Sequence, residues 1–402
     1  MQKNNRYRII VLISGLFINL CTGILYMWSV FLPYVVSHHG WNPSQVAMTS
    51  AVMIAGFVLG NILTGLAQEK IHPRAAAFFG CGLFCSGIYL TALIGHGIPS
   101  MIYLTYGIAG GLGCGIAYGT VLAVLQKWWP AHLGFATGTS VGFFGLSVVI
   151  LSPVADRMLR TGGVPFTFKI LAIVFFVVCA AAALLMKNPD KAYYYSEITK
   201  KIDIENVKQF KPREMLRSMS YYYILISVFA ASAAYLVIVP FITTIALSRG
   251  ISPGLALIAV MGTGVANALG RILAPLASEK TRRTTVMMLC AIISAAACVL
   301  IIFASGAAYI AAVFFIAFSY GGASGITPVI ATELFGARYS GANYGLVLVG
   351  VGLSSIVFGR LAAVFVSGSL TGVFILCASL CSVPVLMMIL IRRRCLKLGK
   401  II

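Results

Sequence analysis

The chain has 402 residues, 60% hydrophobic and only 9% charged, with a mean hydropathy of +0.98. A soluble domain carries about 25% charge, so a soluble enzyme or binding module is excluded and a chain embedded in a lipid bilayer is expected. The net charge of +20 would suggest nucleic acid in a soluble protein; here it comes from basic loops, and no nucleic-acid partner is expected.

Apolar segments long enough to cross a bilayer are predicted at residues 9–33, 44–66, 76–95, 101–125, 132–153 and 167–186. A polar stretch follows, and six more segments are predicted at 221–246, 254–276, 285–305, 308–331, 342–366 and 370–391. The pattern predicts an all-α membrane protein of twelve transmembrane helices. It divides into an amino-terminal bundle (1–186), a linker (187–220) and a carboxy-terminal bundle with a basic tail (221–402). The amino terminus, MQKNNRYR, leads directly into the first span, so no cleaved leader is expected.

Basic residues set the expected orientation. With the amino terminus inside, 23 of the 29 lysines and arginines fall in inner segments. Four fall in outer loops, namely Arg157, Arg160, Lys169 and Arg249. Both termini are therefore expected to be cytoplasmic. The other two, Arg271 and Arg360, lie within spans. Arg360 stands near the outer end of the eleventh span, where an arginine can snorkel to the surface. Of the nine acidic residues none lies mid-span; Asp156 sits beside Arg157 at the outer end of the fifth span. Drug–proton and cation antiporters need an intramembrane carboxylate, so neither class is expected. The ten cysteines form no C-x-x-C and read as buried, unpaired thiols. The five histidines show no metal-ligand spacing, no catalytic or nucleotide-binding motif is present, and neither an enzyme nor a cofactor is expected.

The two halves echo each other. Gly60–Lys70 (GNILTGLAQEK) and Gly270–Lys280 (GRILAPLASEK) match at seven of eleven positions, with Asn61 in the place of Arg271. Parallel repeats place a substrate site between two bundles near the bilayer midplane. Glycines recur every four residues at Gly107, Gly111, Gly115 and Gly119, and again at Gly134, Gly138 and Gly142. That spacing lets helix backbones pack closely.

Arg271 is the pivot of the sequence. On a helix it shares a face with Asn267, one turn away. It lies about 12 Å above the membrane exit marked by Glu279 and Lys280, near the middle of a hydrocarbon core roughly 30 Å thick. A cation at that depth costs about 2.5–3.5 kcal/mol. A guanidinium can hold one carboxylate through two parallel hydrogen bonds.

The chain resembles the major facilitator superfamily, and within it the oxalate/formate antiporter branch, which is similar to monocarboxylate transporters. The residues that carry the likeness are the loop Gly65–Lys70 and its echo Ala274–Lys280, Tyr26-Met-Trp28-Ser, Gly115-Ile-Ala-Tyr118-Gly, Trp128-Trp-Pro130, Asn267-Ala-Leu-Gly-Arg271, Tyr320-Gly-Gly, Glu333-Leu-Phe-Gly336 and Asn343-Tyr-Gly345. The resemblance implies the superfamily's fold of two six-helix bundles and a carboxylate-binding role for Arg271. It also implies that the first, fourth and tenth spans line the cavity, which makes Tyr26, Trp28, Tyr118 and Tyr320 candidate lining residues; Tyr235 and Phe144 are further candidates. Relatives that handle oxalate carry a lysine where this chain has Val351 and a polar residue where it has Leu25. Both changes point away from dicarboxylates.

The expected function is secondary transport of small monocarboxylates of the lactate, pyruvate or formate kind. The expected setting is a multi-pass inner-membrane monomer coupled to protons or to a counter-anion. Oxalate–formate exchange and a non-transporting carboxylate sensor are the alternatives.

Overall fold

The computed structural model describes residues 2–67, 70–95, 97–190, 193, 209–336, 338–365 and 371–397. Glu69 of the first loop motif, His96, most of the predicted linker (with Lys191, Lys200, Lys201 and Lys208) and Lys400 lie outside the described residues. All regular structure among the described residues is helical.

The chain begins with α1 (Gln2–Thr22), tightens into a 3-10 turn at Gly23–Met27, and resumes as α2 (Trp28–His39). Helices α3 (Pro43–Ala67) and α4 (Pro73–Thr91) follow, and then a π-helical stretch, Tyr103–Gly110, feeds α5 (Gly111–Trp128). Next come α6 (Leu133–Leu184), a short α7 (Pro212–Leu216), α8 (Met219–Ile238) and α9 (Ile242–Ser248). The chain closes with α10 (Pro253–Lys280), α11 (Arg283–Phe303), α12 (Gly306–Phe335), α13 (Ser340–Val347), α14 (Val349–Phe365), α15 (Thr371–Leu380) and α16 (Ser382–Lys397).

Eleven helical stretches among the described residues are long and apolar enough to cross a membrane. One of them, Pro130–Leu184, has 55 residues and would measure about 82 Å if straight, more than twice a hydrocarbon core of roughly 30 Å. The sequence predicts two spans here, 132–153 and 167–186, separated by a polar connection. The structure instead keeps residues 154–166 helical, and only Gly163 (φ 75°, ψ −176°) leaves helical geometry. An ion pair between Asp156 and Arg160 (2.8 Å), four residues apart, supports the helix through this polar stretch. Gly163 then turns the chain with a positive φ that side-chain-bearing residues rarely adopt.

Helices before residue 187 pack chiefly on one another, as α3 on α5, α1 on α6 and α4 on both α5 and α6. Those after residue 209 do the same, as α10 on α12, α11 on α12 and α8 on α14. The halves meet along two seams, α6 against α10 and α3 against α13 and α14. The glycine stripe of α5 lies on α3, where Gly111 and Gly115 face the backbone at Met53 and Phe57. All ten cysteines are buried and none forms a disulfide. Arg360 is exposed.

Candidate functional site

Arg271 is 3% exposed and is the only charged side chain buried among the described residues. It has no acidic partner there. Its place is set by backbone packing. A Cβ at Gly270 would run into the carbonyl oxygen of Phe318, and one at Gly321 into that of Asn267. Glycine at both positions lets α10 and α12 touch backbone to backbone, and this aims Arg271 into the space between the halves.

A chain of hydrogen bonds holds the guanidinium. Nε donates to Asn267 Oδ1 (2.6 Å), and Asn267 Nδ2 donates to the Tyr235 hydroxyl (3.1 Å). Nη2 donates to the Tyr26 hydroxyl (2.9 Å), which pairs in turn with the Tyr320 hydroxyl (2.9 Å). Nη1 makes no hydrogen bond among the described residues. The guanidinium carbon lies 5.3 Å from the ring centre of Tyr26, 5.7 Å from Tyr320 and 5.9 Å from Phe144. Three ring faces and two hydroxyl or amide oxygens thus partly replace water around the charge. They leave it without a counter-ion.

Arg271 opens into a small cavity of about 30 Å³. Tyr26, Tyr118, Phe144 and Tyr320 line it, together with Tyr344 and the apolar Leu25, Ile54, Phe57 and Val351. None of the lining residues is acidic. A helix irregularity shapes its wall. The 3-10 turn presents Leu25 and Tyr26, while the nearly continuous helix through α13 and α14 presents Tyr344, Leu348 and Val351. Irregular backbone at membrane depth is tolerated where it lines a cavity.

The predicted residues divide into three groups. Arg271, Tyr26, Tyr118, Phe144 and Tyr320 come together around one cavity. Asn267 and Tyr235 stand behind it. Asn267 is fully buried and orients Arg271; Tyr235 bonds Asn267 and stacks on Tyr320, with ring centres 4.2 Å apart and planes 9° apart. Trp28 does not reach this cavity. Its indole N–H donates to the Val46 carbonyl (2.8 Å), its ring packs on Tyr106 (4.5 Å), and it lines a second cavity. Leu25, Tyr26 and Ile54 form the wall the two cavities share.

Sequence reasoning missed Tyr344, whose hydroxyl faces that of Tyr118 at 3.5 Å across the two halves. The signal was present in Asn343-Tyr-Gly345. Leu25 and Val351, the two positions where the family likeness pointed away from dicarboxylates, both line the cavity. Among the described residues no three His, Cys, Asp or Glu side chains gather as metal ligands.

Membrane-length helices closed around a small central cavity form the architecture of a membrane transporter. The sequence profile of the Major Facilitator Superfamily matches residues 12–359 and 224–395, and the chain belongs to that superfamily. It is 25% identical to the uncharacterized MFS-type transporter YhjX of Escherichia coli over 354 residues, 87% of this chain and 86% of that one. It is 26% identical to the oxalate:formate antiporter of Oxalobacter formigenes over 365 residues, 89% and 84% of the two chains. A shorter match, 25% over 142 residues, joins it to monocarboxylate transporter 2 of Rattus norvegicus, covering 35% of this chain and 29% of that one. Among solved structures, the proton:xylose symporter XylE aligns with a TM-score of 0.73 at 14% identity, covering 96% of each chain. FucP in its outward conformation aligns at 0.69 and 15%, covering 94% of this chain and 97% of that one. At those identities the two structures speak to the fold alone.

Proposed function

We propose that this protein carries small monocarboxylate anions across the cell membrane by alternating access, with Arg271 binding the substrate carboxylate. One observation carries the reading: a buried guanidinium, lacking a counter-ion, opens into a cavity lined with tyrosines and sized for a few heavy atoms. An isolated buried charge is costly, and an anion that pairs with it recovers much of that cost. Nη1 and Nη2 offer the planar fork a carboxylate fits once the Tyr26 hydroxyl gives up its place on Nη2. Aromatic walls and the apolar Leu25 and Val351 suit a single carboxylate with a short carbon chain.

In this reading the 55-residue stretch crosses twice, bent at Gly163, which makes twelve crossings in two six-helix bundles. Both termini lie in the cytoplasm, and the carrier works as a monomer in the inner membrane. Alternating access proceeds by rocking at the two seams, coupled to protons or to exchange with a counter-anion.

Oxalate–formate exchange is the second reading, favoured by the antiporter relative that spans most of both chains. The apolar Val351 and Leu25 weigh against it. The test is uptake of labelled formate, acetate, lactate, pyruvate and oxalate into proteoliposomes, with and without internal anion and a pH gradient. Arg271→Ala and Arg271→Lys are run alongside, with binding affinity measured on the purified, folded variants. Truncating one member of a buried, hydrogen-bonded charge pair costs about 2–5 kcal/mol, or roughly 30- to several-thousand-fold in affinity. Lysine keeps the charge but loses the planar fork. Wild-type affinity in a destabilised Arg271→Ala would move the arginine from site to scaffold, and binding without uptake would mark a sensor.

A further inference from the structure

The hydroxyls around the central cavity are committed with one exception. Tyr26 and Tyr320 bond each other and Tyr26 bonds Arg271; Tyr118 faces Tyr344. Ser232 donates to the Val228 carbonyl (2.8 Å) and Thr327 to the Ala323 carbonyl (2.6 Å). Such back-bonding to the preceding turn is how a serine or threonine normally satisfies itself inside a membrane helix. On α12 it recurs at Ser319, Thr327 and Thr332. Ser324 breaks the pattern. Its hydroxyl makes no hydrogen bond among the described residues, it is not sealed from the cavity, and its side chain is half-buried in the cavity wall.

Its position relative to the arginine follows from the helix. Ser324 stands one turn from Tyr320, on the face that also carries Tyr320 and Thr327 into the cavity. The next residue, Gly325, lies against the Arg271 backbone, where an added Cβ would come within 2.9 Å of the Arg271 Cα. Ser324 and Arg271 line the same cavity, so a carboxylate held by the guanidinium extends its carbon chain into the space that the Ser324 hydroxyl faces. A hydroxyl both donates and accepts. It can donate to a 2-oxo oxygen or accept from a 2-hydroxyl. The apolar walls at Ile54, Phe57, Val228 and Leu348 take the remaining carbons.

We propose that Ser324 is a specificity-determining residue that selects 2-hydroxy and 2-oxo monocarboxylates over unsubstituted ones of equal length. The proposal rests on the carboxylate reading of Arg271 and narrows its substrate class. An alkyl substrate leaves the serine hydroxyl without a partner in a closed site, which is how polar sites reject apolar analogues.

The experiment compares lactate, pyruvate and propionate, all three-carbon monocarboxylates, by calorimetric titration of the purified full-length protein in lipid nanodiscs. Wild type is expected to bind lactate and pyruvate roughly 3- to 10-fold more tightly than propionate. In Ser324→Ala the three affinities converge, through loss at lactate and pyruvate with propionate unchanged. Equal affinities in wild type overturn the proposal without any variant. A preference that survives intact in Ser324→Ala overturns it as well. If none of the three binds, or if propionate binds Arg271→Ala as tightly as wild type, the carboxylate reading itself falls and takes the proposal with it. Binding that depends on Arg271 but ignores the 2-substituent sinks the Ser324 assignment alone.

Discussion

Replacing Tyr26 by Phe should tighten substrate binding. In the empty site the Tyr26 hydroxyl accepts from Arg271 Nη2 at 2.9 Å, in the place a carboxylate oxygen would take, and its second contact is Tyr320. Phenylalanine keeps the ring, whose centre lies 5.3 Å from the guanidinium carbon, and deletes only the oxygen. A hydrogen bond to a charged group contributes about 1.5–3 kcal/mol. The empty variant loses that amount and a bound anion restores it. Carboxylate affinity should therefore rise roughly 10- to 150-fold. Calorimetric titration of lactate into wild type and Tyr26→Phe reads the effect directly. Thermal melting gives a second readout: the empty variant should melt below wild type, and saturating lactate should close the gap. Unchanged or weaker lactate binding in a folded variant would refute the reasoning, since the hydroxyl would then not be standing in for the substrate.

Val351→Lys places a second cation in the cavity wall. In wild type the second carboxylate of oxalate finds no partner, at a cost of several kcal/mol. Oxalate should compete with labelled lactate at lower concentration in the variant than in wild type, and equal competition would argue that residue 351 does not read the substrate. Gly321→Val forces α12 away from the Asn267 backbone. It should cost about 1–3 kcal/mol of stability and weaken lactate binding as Arg271 is displaced; a wild-type melting curve and affinity would contradict the backbone contact between α10 and α12. A reporter fused after Ile402 and a labelled cysteine in place of His39 should report opposite faces of the membrane, and finding both on one face would exclude the twelve-crossing arrangement.

The membrane-length helices and the cation were legible in the sequence because both are penalties visible residue by residue. A run of apolar side chains has no other comfortable place, and a mid-span arginine needs a reason. Asn267 followed from helical spacing, Tyr26, Tyr118 and Tyr320 from the family likeness, and Phe144 was named only as a further candidate. Other features depend on packing between distant segments. Trp28 looked like Tyr26 in sequence, but residues two apart on a helix do not share a face, and its indole N–H reaches the Val46 carbonyl instead. Tyr344 enters the cavity because α13 packs on α3 and turns this residue toward Tyr118, which local composition does not announce. The helical extension through residues 154–162 was unreadable for the opposite reason. Its charges look like a loop until Asp156 and Arg160 are seen paired along one face.

The lone positive charge of Arg271 also bears on how membrane voltage acts on the carrier. A potential of 100 mV acts on one elementary charge with about 2.3 kcal/mol across its full drop. The cavity wall contains no acidic side chain to offset the arginine. With the site empty, whatever part of the field the guanidinium crosses during reorientation is felt as a force on a net cation. Once a monoanion sits on it, the pair is neutral and the field has little to grip. Voltage would then set the rate of the unloaded half-cycle and leave the loaded one nearly untouched, an asymmetry that pre-steady-state current recordings on oriented membranes would register as charge movement suppressed by substrate.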